Sequence, residues 1–456
     1  MINIKSDSRK IKKGDIFVAI DGINSNGSDY IESAINNGAS KIVTKEGSYH
    51  VDTINVDDPK EYLTNYLIDN YNKYLNEMTI IGITGTNGKT TTAYLIYQAL
   101  NLLGKKCAYI GTIGFYMKDK ICNLPNTSVD TCDIYDMLMR CYHNDYKCVI
   151  MEVSSQGLSY KRFDGLEFDY AMFTNLTRDH LDYHKTMENY ALAKQQLFKK
   201  LKDCGIGIVN ADDNYKDYFN TKNSVSYGIN LGDYKVIDYT LLSHKTVISI
   251  EYEGYLYEYT YPLIGKYNIY NMLSSIVLLN KMGYNLEELK KVVKKLKNPD
   301  GRMDVIKYNN NSIIIDYAHT PDAMENIYKS VVNLVEGNVI TVFGCTGNRD
   351  RKKRPIMMQL ALKYSSFVYV TSDDLHDEEF IDIVKDMLEG NENNRYKIIQ
   401  DRGKAIKCAI ENLKDNDMLL ILGKGHEEAI IIKDKKIPFN DHKKVIEILN
   451  NIEVKI

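Results

Sequence analysis

Apolar and polar positions alternate along this chain in a way that changes near Met78. From there, short apolar runs alternate with helical stretches: "MTIIGIT", "KCAYIGT", "KCVIMEVSS", "YAMFTNL" and "GIGIVNADD" each end in polar residues. Such runs read as strands of a parallel sheet buried on both faces. The first is followed by a predicted helix from Thr90 to Leu103, with Ala93, Ile96, Leu100 and Leu103 on one face and Gly104 as its stop. The same pattern returns in "SIIIDYAHTP", "VITVFGCTG", "SFVYVTSDD" and "MLLILGKG". Between the two series, "VISIEYEGYLYEYTYPL" alternates with period two around a Glu253-Gly254 turn, which predicts a β-rich insert. The lysine-rich "LEELKKVVKKLKN" reads as a helix leading into "PDGR", a boundary near Asn298. Before Met78, "DIFVAI" and "KIVT" are strand-like around the helix-like "SDYIESAINNGA", and the polar "DNYNKYLNEM" reads as a link. The predicted fold class is α/β in three units, 1–77, 78–298 and 299–456. Ligands of such sheets bind beyond the carboxyl ends of the strands. The polar clusters stand there in the second and third units, so two α/β domains are expected to face each other across a cleft.

Composition narrows the class without changing it. The 456 residues suit about three domains. A net charge of −3 with 26% charged residues gives no basic bias toward nucleic acid. No run approaches the ~18 apolar residues of a membrane span, and "MINIKSDSRKIKKGD" lacks the apolar core of a secretory signal. Eight cysteines are scattered with no C-x-x-C pair, so neither a zinc site nor a disulfide framework is indicated and a reducing cytoplasm is expected.

Candidate chemistry begins at Gly82–Thr92, "GITGTNGKTTT". Strand, glycine turn, Lys-Thr and helix form the context of a phosphate cradle, with Lys89 reaching terminal phosphates and Thr90 offering a hydroxyl to Mg²⁺. The strict G-x-x-x-x-G-K-[ST] pattern fails, because Ile83 stands where the first glycine should, so the loop is a compact variant. Glu152, just past a strand, reads either as a Mg²⁺ ligand or as a capping or ion-paired residue. "FTNLTRDHLDYH" gathers Asn175, Asp179, His180, Asp182 and His184 for a metal or substrate role. Lys194, on an amphipathic helix, is by itself only a solvated lysine. In "DYAHTPDAME", Thr320 and Pro321 are explained as a helix start, whereas Asp316 and His319 at the strand end are not.

Taken together, "TGTNGKTTT", "MEVSSQGL", "FTNLTRDHLDYH", "YALAKQQLF", "GKYNIYN", "GRMD", "DYAHTPDA", "GCTGNRDRKKRP" and "GKGHE" resemble the Mur ligases, ATP-dependent amide-forming enzymes, in the family's order. The N-terminal "DSRKIKKGDIFVAIDGINSNGSDYI" resembles the uridine-binding domain of the branch that adds the third stem-peptide residue. The resemblance implies a UDP-substrate domain, a central ATPase domain and a Rossmann-like C-terminal domain for the amino acid. It implies an acyl phosphate made from ATP on the D-Glu carboxylate of UDP-MurNAc-L-Ala-D-Glu, displaced by the incoming amine. By the same match, Gly85, Thr86, Asn87, Gly88, Lys89, Thr90, Thr91, Asn271, Arg302 and Asp316 would bind ATP. Thr90, Glu152, His180 and a carbamylated Lys194 (N6-carboxylysine) would hold Mg²⁺, with Lys89, Lys194 and His180 as the catalytic set. Ser8, Asn126, Thr127, Ser128, Ser154 and Arg162 would bind the UDP-substrate, and Arg349, Asp373, Asp374, His376, Gly423 and Glu427 the amino acid. The implied setting is a cytoplasmic monomer acting on small molecules, with no nucleic acid or membrane partner.

Some positions depart from the family pattern. Gln156 stands for a frequent histidine, and Thr346 and Asn348 stand where Gly and Asp are usual. Members that add meso-diaminopimelate carry D-N-P-R, whose arginine grips the distal carboxylate, whereas this chain has Asp373-Asp374-Leu375-His376. Asp374 is expected to repel a carboxylate, and His376 is only partly charged near neutrality. That favours lysine or ornithine over meso-diaminopimelate, which a rearranged loop would accept in another way. The alternatives are a folylpolyglutamate-synthase-type ligase, from which this N-terminal unit is not expected, and a catalytically silent nucleotide-binding scaffold.

Overall fold

The computed structural model describes residues 2–22, 25–242 and 245–453. By internal contacts it forms two units, Met1–Lys235 with Asn271–Asn285, and Val236–Tyr270 with Leu286–Ile456.

The first unit opens with four short parallel strands in chain order, Ile4–Lys5, Ile16–Val18, Lys41–Thr44 and Asp52–Asn55. The helix Pro59–Leu75 follows; the Asp58 carboxylate caps it by accepting from the amides of Lys60 and Glu61, and Pro59 sits in its first turn. This helix corrects the expected link at "DNYNKYLNEM", whose first residues are helical. Leu63, Leu67 and Leu75 are buried along one side, and that stripe suffices to dock a helix whose other faces are polar. Lys5 and Lys10 then pair with Asp136 and Asp133 on the helix Thr131–His143, at 3.2 and 2.6 Å.

The larger sheet of this unit runs Ser224–Gly228, Leu201–Asn210, Phe168–Phe173, Thr79–Thr84, Cys148–Glu152 and Cys107–Gly111, all parallel. Two antiparallel strands, Gly114–Tyr116 and Lys120–Cys122, extend it. Thr79–Thr84 lies inside the sheet and is buried from Ile80 onward, as its apolar run requires. The register pairs Thr84 with Phe173 and Ile83 with Glu152, so the polar ends of three strands lie side by side. The helix after the glycine loop spans Lys89–Leu102, one residue earlier than expected at each end.

The second unit contains the hairpin Thr246–Tyr252 and Tyr255–Tyr261, in the alternating stretch. Its two-residue turn has Glu253 at φ 51° and Gly254 at φ 78°, the left-handed pair that matches strand twist. The lysine-rich stretch forms a helix only over Leu286–Val293. The second sheet runs Asp304–Tyr308, Asn311–Asp316, Met418–Leu422, Val339–Phe343, Phe367–Val370 and Tyr396–Ile398, parallel except for the first pair. Alternation sorts its side chains. Ile314, Leu420 and Leu422 pack with the helices Pro321–Val331, Lys353–Tyr364 and Phe380–Leu388, while Ile313, Ile315, Leu419 and Ile421 pack with Arg402–Glu411 and Asp441–Glu453. Asp316, Leu422 and Phe343 are register partners, which aligns the loops that follow them. All eight cysteines are free.

Two of those helices are clamped by charge. The fully buried Arg354 donates to both oxygens of Glu378 and to Asp386, and the amide of Asn348 adds a bond to Glu378. These Arg354 hydrogen bonds, the largest influence, hold the Glu378 carboxyl at about 2. A depressed carboxyl contributes stability above its unfolded pKa, and that contribution is lost as pH falls through the folded value. Melting temperature should therefore fall as pH drops from about 4 toward about 2, and Glu378→Gln should flatten that slope in a pH series of thermal melts. An unchanged slope contradicts the clamp.

Candidate active site

The glycine loop is built by close approach. A Cβ on Gly85 would lie 1.9 Å from Thr174 Oγ1, and one on Gly88 2.5 Å from Asn271 Oδ1. Gly85 and Gly88 also have φ of 149° and 84°, so both positions need glycine for conformation as well as space. Thr174 donates to the carbonyl of Asn87 at 2.7 Å, Asn175 accepts from the Asn87 amide at 2.9 Å, and Thr86 donates its amide to the Asn175 carbonyl. Lys89 curls back to donate to the carbonyls of Gly85 and Thr86, each at 2.9 Å. Lys194 is only 1% exposed and donates to the same Gly85 carbonyl at 2.8 Å. Burial, and then the charge of Lys89, push the Lys194 amine well below the ordinary lysine range.

Beside the loop, Thr90 donates to Glu152 at 2.8 Å. The buried Glu152 also accepts from the amide and hydroxyl of Thr112 and from Tyr109. Thr127 meets the Thr112 hydroxyl at 3.0 Å, Ser128 donates to the Glu152 carbonyl, and Ser154 donates its amide to Ser128 Oγ. Arg162 donates to the Ser128 carbonyl. The sequence candidates Thr127, Ser128, Ser154 and Arg162 are thus one connected patch beside Glu152. Asn126 is exposed at its edge, and Ser8 is buried in the N-terminal sheet region, its carbonyl held by Asn37. Thr91 is buried on the loop helix. His180 is half-exposed in a left-handed conformation, and its Nε2 lies 3.4 Å from Asp179. His184 is buried against Ser155 and stacks on Tyr190. The Asp182 side chain lies outside the described atoms.

The second unit gathers its own set. Asp316 is buried, accepts from the amides of Met303 and Ala318 at 2.7 and 2.8 Å, and is raised by that burial. The Arg302 guanidinium lies over the Tyr317 ring, and its buried Nε has no hydrogen-bond partner among the described residues. Such an orphan is costly and fits an acceptor supplied by a ligand. His319, unexplained in sequence, bonds the Tyr317 carbonyl, and burial lowers its imidazole pKa.

Around Lys424 the geometry corrects a premise. Its fully buried Nζ binds Asp374 at 2.8 Å and Glu427 at 2.6 Å, with Asp373 at 3.7 Å. Asp374 also accepts the Ile431 amide at 2.8 Å. The charge of Asp374 is therefore already paired, and the repulsion expected of it is offset inside the protein. Burial opposes the Lys424 charge, but Asp373 and Glu427 outweigh it and hold the amine above the ordinary range. Burial raises Glu427, and Lys424 only partly offsets that. Gly423, at φ 113°, brings its backbone against Asp373 Oδ2, where a Cβ would stand at 2.6 Å. His376 is half-buried at φ 49°, bridged to Ile432, and Arg349 is exposed. Lys424, Tyr109, Thr112 and Thr174 were missed from sequence, although Lys424 lies inside "GKGHE", Thr174 inside "FTNLTRDHLDYH", and Tyr109 and Thr112 inside the strand run "KCAYIGT".

Three family models match the chain: "Mur ligase family, catalytic domain" over residues 2–80, "Mur ligase middle domain" over 83–279 and "Mur ligase, glutamate ligase domain" over 301–425. The UDP-N-acetylmuramoyl-L-alanyl-D-glutamate--2,6-diaminopimelate ligase of Fusobacterium nucleatum is 41% identical, covering 96% of this chain and 92% of that protein. The enzyme of the same name from Aquifex aeolicus is 39% identical, covering 98% and 93%. A solved structure of a ligase of this name superposes with a TM-score of 0.72 at 30% identity, over 99% of this chain and 95% of that one.

The loop geometry makes one stability test direct. Gly85→Ala drives a methyl into Thr174 and breaks its bond to Asn87, which should cost about 2 kcal/mol in chemical denaturation. A Gly85→Ala chain as stable as the parent contradicts the close approach.

Proposed function

This chain belongs to the Mur ligase family, and from that premise we propose that it uses ATP to add the third stem-peptide residue to UDP-MurNAc-L-Ala-D-Glu. A carboxylate is a poor electrophile. Transfer of the γ-phosphoryl group of ATP to the D-Glu carboxylate gives an acyl phosphate and releases ADP. The incoming amine then attacks the acyl carbon, the bond to phosphate breaks, and the nitrogen loses a proton. The product is the third amide of the stem, a step of peptidoglycan synthesis. On this reading residues 1–77 bind the uridine end, 78–298 bind ATP and 299–456 bind the amino acid.

The observation that carries the reading is the meeting of Lys89 and Lys194 at the Gly85 carbonyl, beside the Thr90–Glu152 pair. The Lys89 ammonium there suits an anion, and the loop amides and Lys89 would receive phosphate. Gly85 to Thr91, with Asn271, Arg302 and Asp316, form the proposed ATP set. The lowered Lys194 favours the neutral amine, the form that takes up carbon dioxide as a carbamate and so exchanges a cation for an anion. Thr90, Glu152, His180 and that carbamate would hold Mg²⁺, which when bound offsets charge between two anionic substrates. Ser8, Asn126, Thr127, Ser128, Ser154 and Arg162 would hold the UDP-substrate.

For the amino acid we propose meso-diaminopimelate, after the relatives named above and because Lys424 already offsets Asp374. Arg349, Asp373, Asp374, His376, Gly423 and Glu427 would line its site. Lysine or ornithine is the second reading, favoured by His376 in place of an arginine and by three carboxylates around one lysine. One chain carries every residue of these sets, so the reading is of a monomer. Nucleotide substrates suit the cytoplasm, and among the described residues no helix is long and apolar enough to cross a membrane.

Phosphate release should require ATP, UDP-MurNAc-L-Ala-D-Glu and the amino acid together; release without the dipeptide substrate sinks the proposal. Lys89→Ala should lower turnover by about 10²-fold or more. Lys194→Ala should be inactive and partly restored by short-chain carboxylates, and no restoration speaks against the carbamate. In competition, a clear preference for lysine over meso-diaminopimelate would select the second reading.

A further inference from the structure

Arg402 lies outside every set above, yet its side chain is completely buried and so is that of its partner Asp441. Arg402 Nε and Nη2 bind the two Asp441 oxygens at 2.7 and 2.8 Å, a bidentate pair. The guanidinium has donors left over. Nη2 also reaches the carbonyl of Leu422 at 3.0 Å, and Nη1 that of Ser372 at 3.4 Å. Leu422 and Ser372 are the residues immediately before Gly423-Lys424 and Asp373-Asp374. One guanidinium therefore grips the roots of both loops that form the carboxylate cluster. Asn440, just before the last helix, donates to the backbone carbonyl of Glu427 at 3.1 Å, so the segment carrying the third carboxylate is held from the same place.

We propose that Arg402, anchored by Asp441, is a positioning residue for amino-acid selection: it sets the separation of the two strand-end loops without touching substrate. A pair serving stability alone would need only the Asp441 contacts; the bonds to Ser372 and Leu422 tie it to the site. An ammonium, with one point of donation, cannot reach Asp441 and two carbonyls in the planar fork that arginine offers. The inference rests on the reading of this site as the amino-acid site.

The test uses the full chain and initial-rate phosphate release with each of the three substrates varied. Two variants are compared: Arg402→Lys, which keeps the charge, and the double variant Arg402→Met/Asp441→Leu, which leaves no buried orphan charge. Both should raise KM for the amino acid by about tenfold to a hundredfold, with KM for ATP and for the UDP-dipeptide within about twofold. Unchanged constants, an equal rise in all three, or no folded protein from either variant overturns the proposal. If the parent chain shows no amino-acid-dependent release, the functional reading itself fails, and this inference with it.

Discussion

Two lysines share one backbone carbonyl at Gly85, and much of the first unit is arranged around that meeting. Like charges at close range in a buried site repel, and each disfavours the protonation of the other. The carbonyl is available only because residue 85 has no side chain, which lets Thr174 close in and tie down Asn87. The strand register then sets Glu152 beside Ile83, where Thr90 of the loop helix donates to it.

The second unit handles charge differently. Lys424, Arg354 and Arg402 are buried cations, each matched to two or more acceptors within the protein. Their work is internal: each joins segments distant in sequence and sets where loops leave the sheet. Lys89 and Lys194 instead donate to neutral backbone carbonyls of the glycine loop.

Much of this was legible in the sequence. The buried runs gave the strands, because a strand covered on both faces must be apolar throughout. Glu253-Gly254 gave the hairpin turn, because few residues accept two successive left-handed conformations. The glycine loop was legible through its glycines and lysine. The helical stretch before Leu75 was not, since its polar residues hide a stripe of three leucines. Nor was the pairing of Asp374 with Lys424, or of Arg402 with Asp441. Those partners lie 50 and 39 residues apart, and nothing local marks a charged residue as one that will be buried and matched. The charge argument about Asp374 treated it as a free carboxylate for that reason.

The last helix shows how far a site can extend beyond the segment that looks like it. The matched family stretch ends at residue 425, while Asn440 and Asp441 hold the loops from a turn fifteen residues later. A domain trimmed to the recognisable core would keep every strand of the second sheet and lose the brace behind its strand-end loops. A change at the start of that helix is therefore felt at the strand-end loops, far from it in sequence.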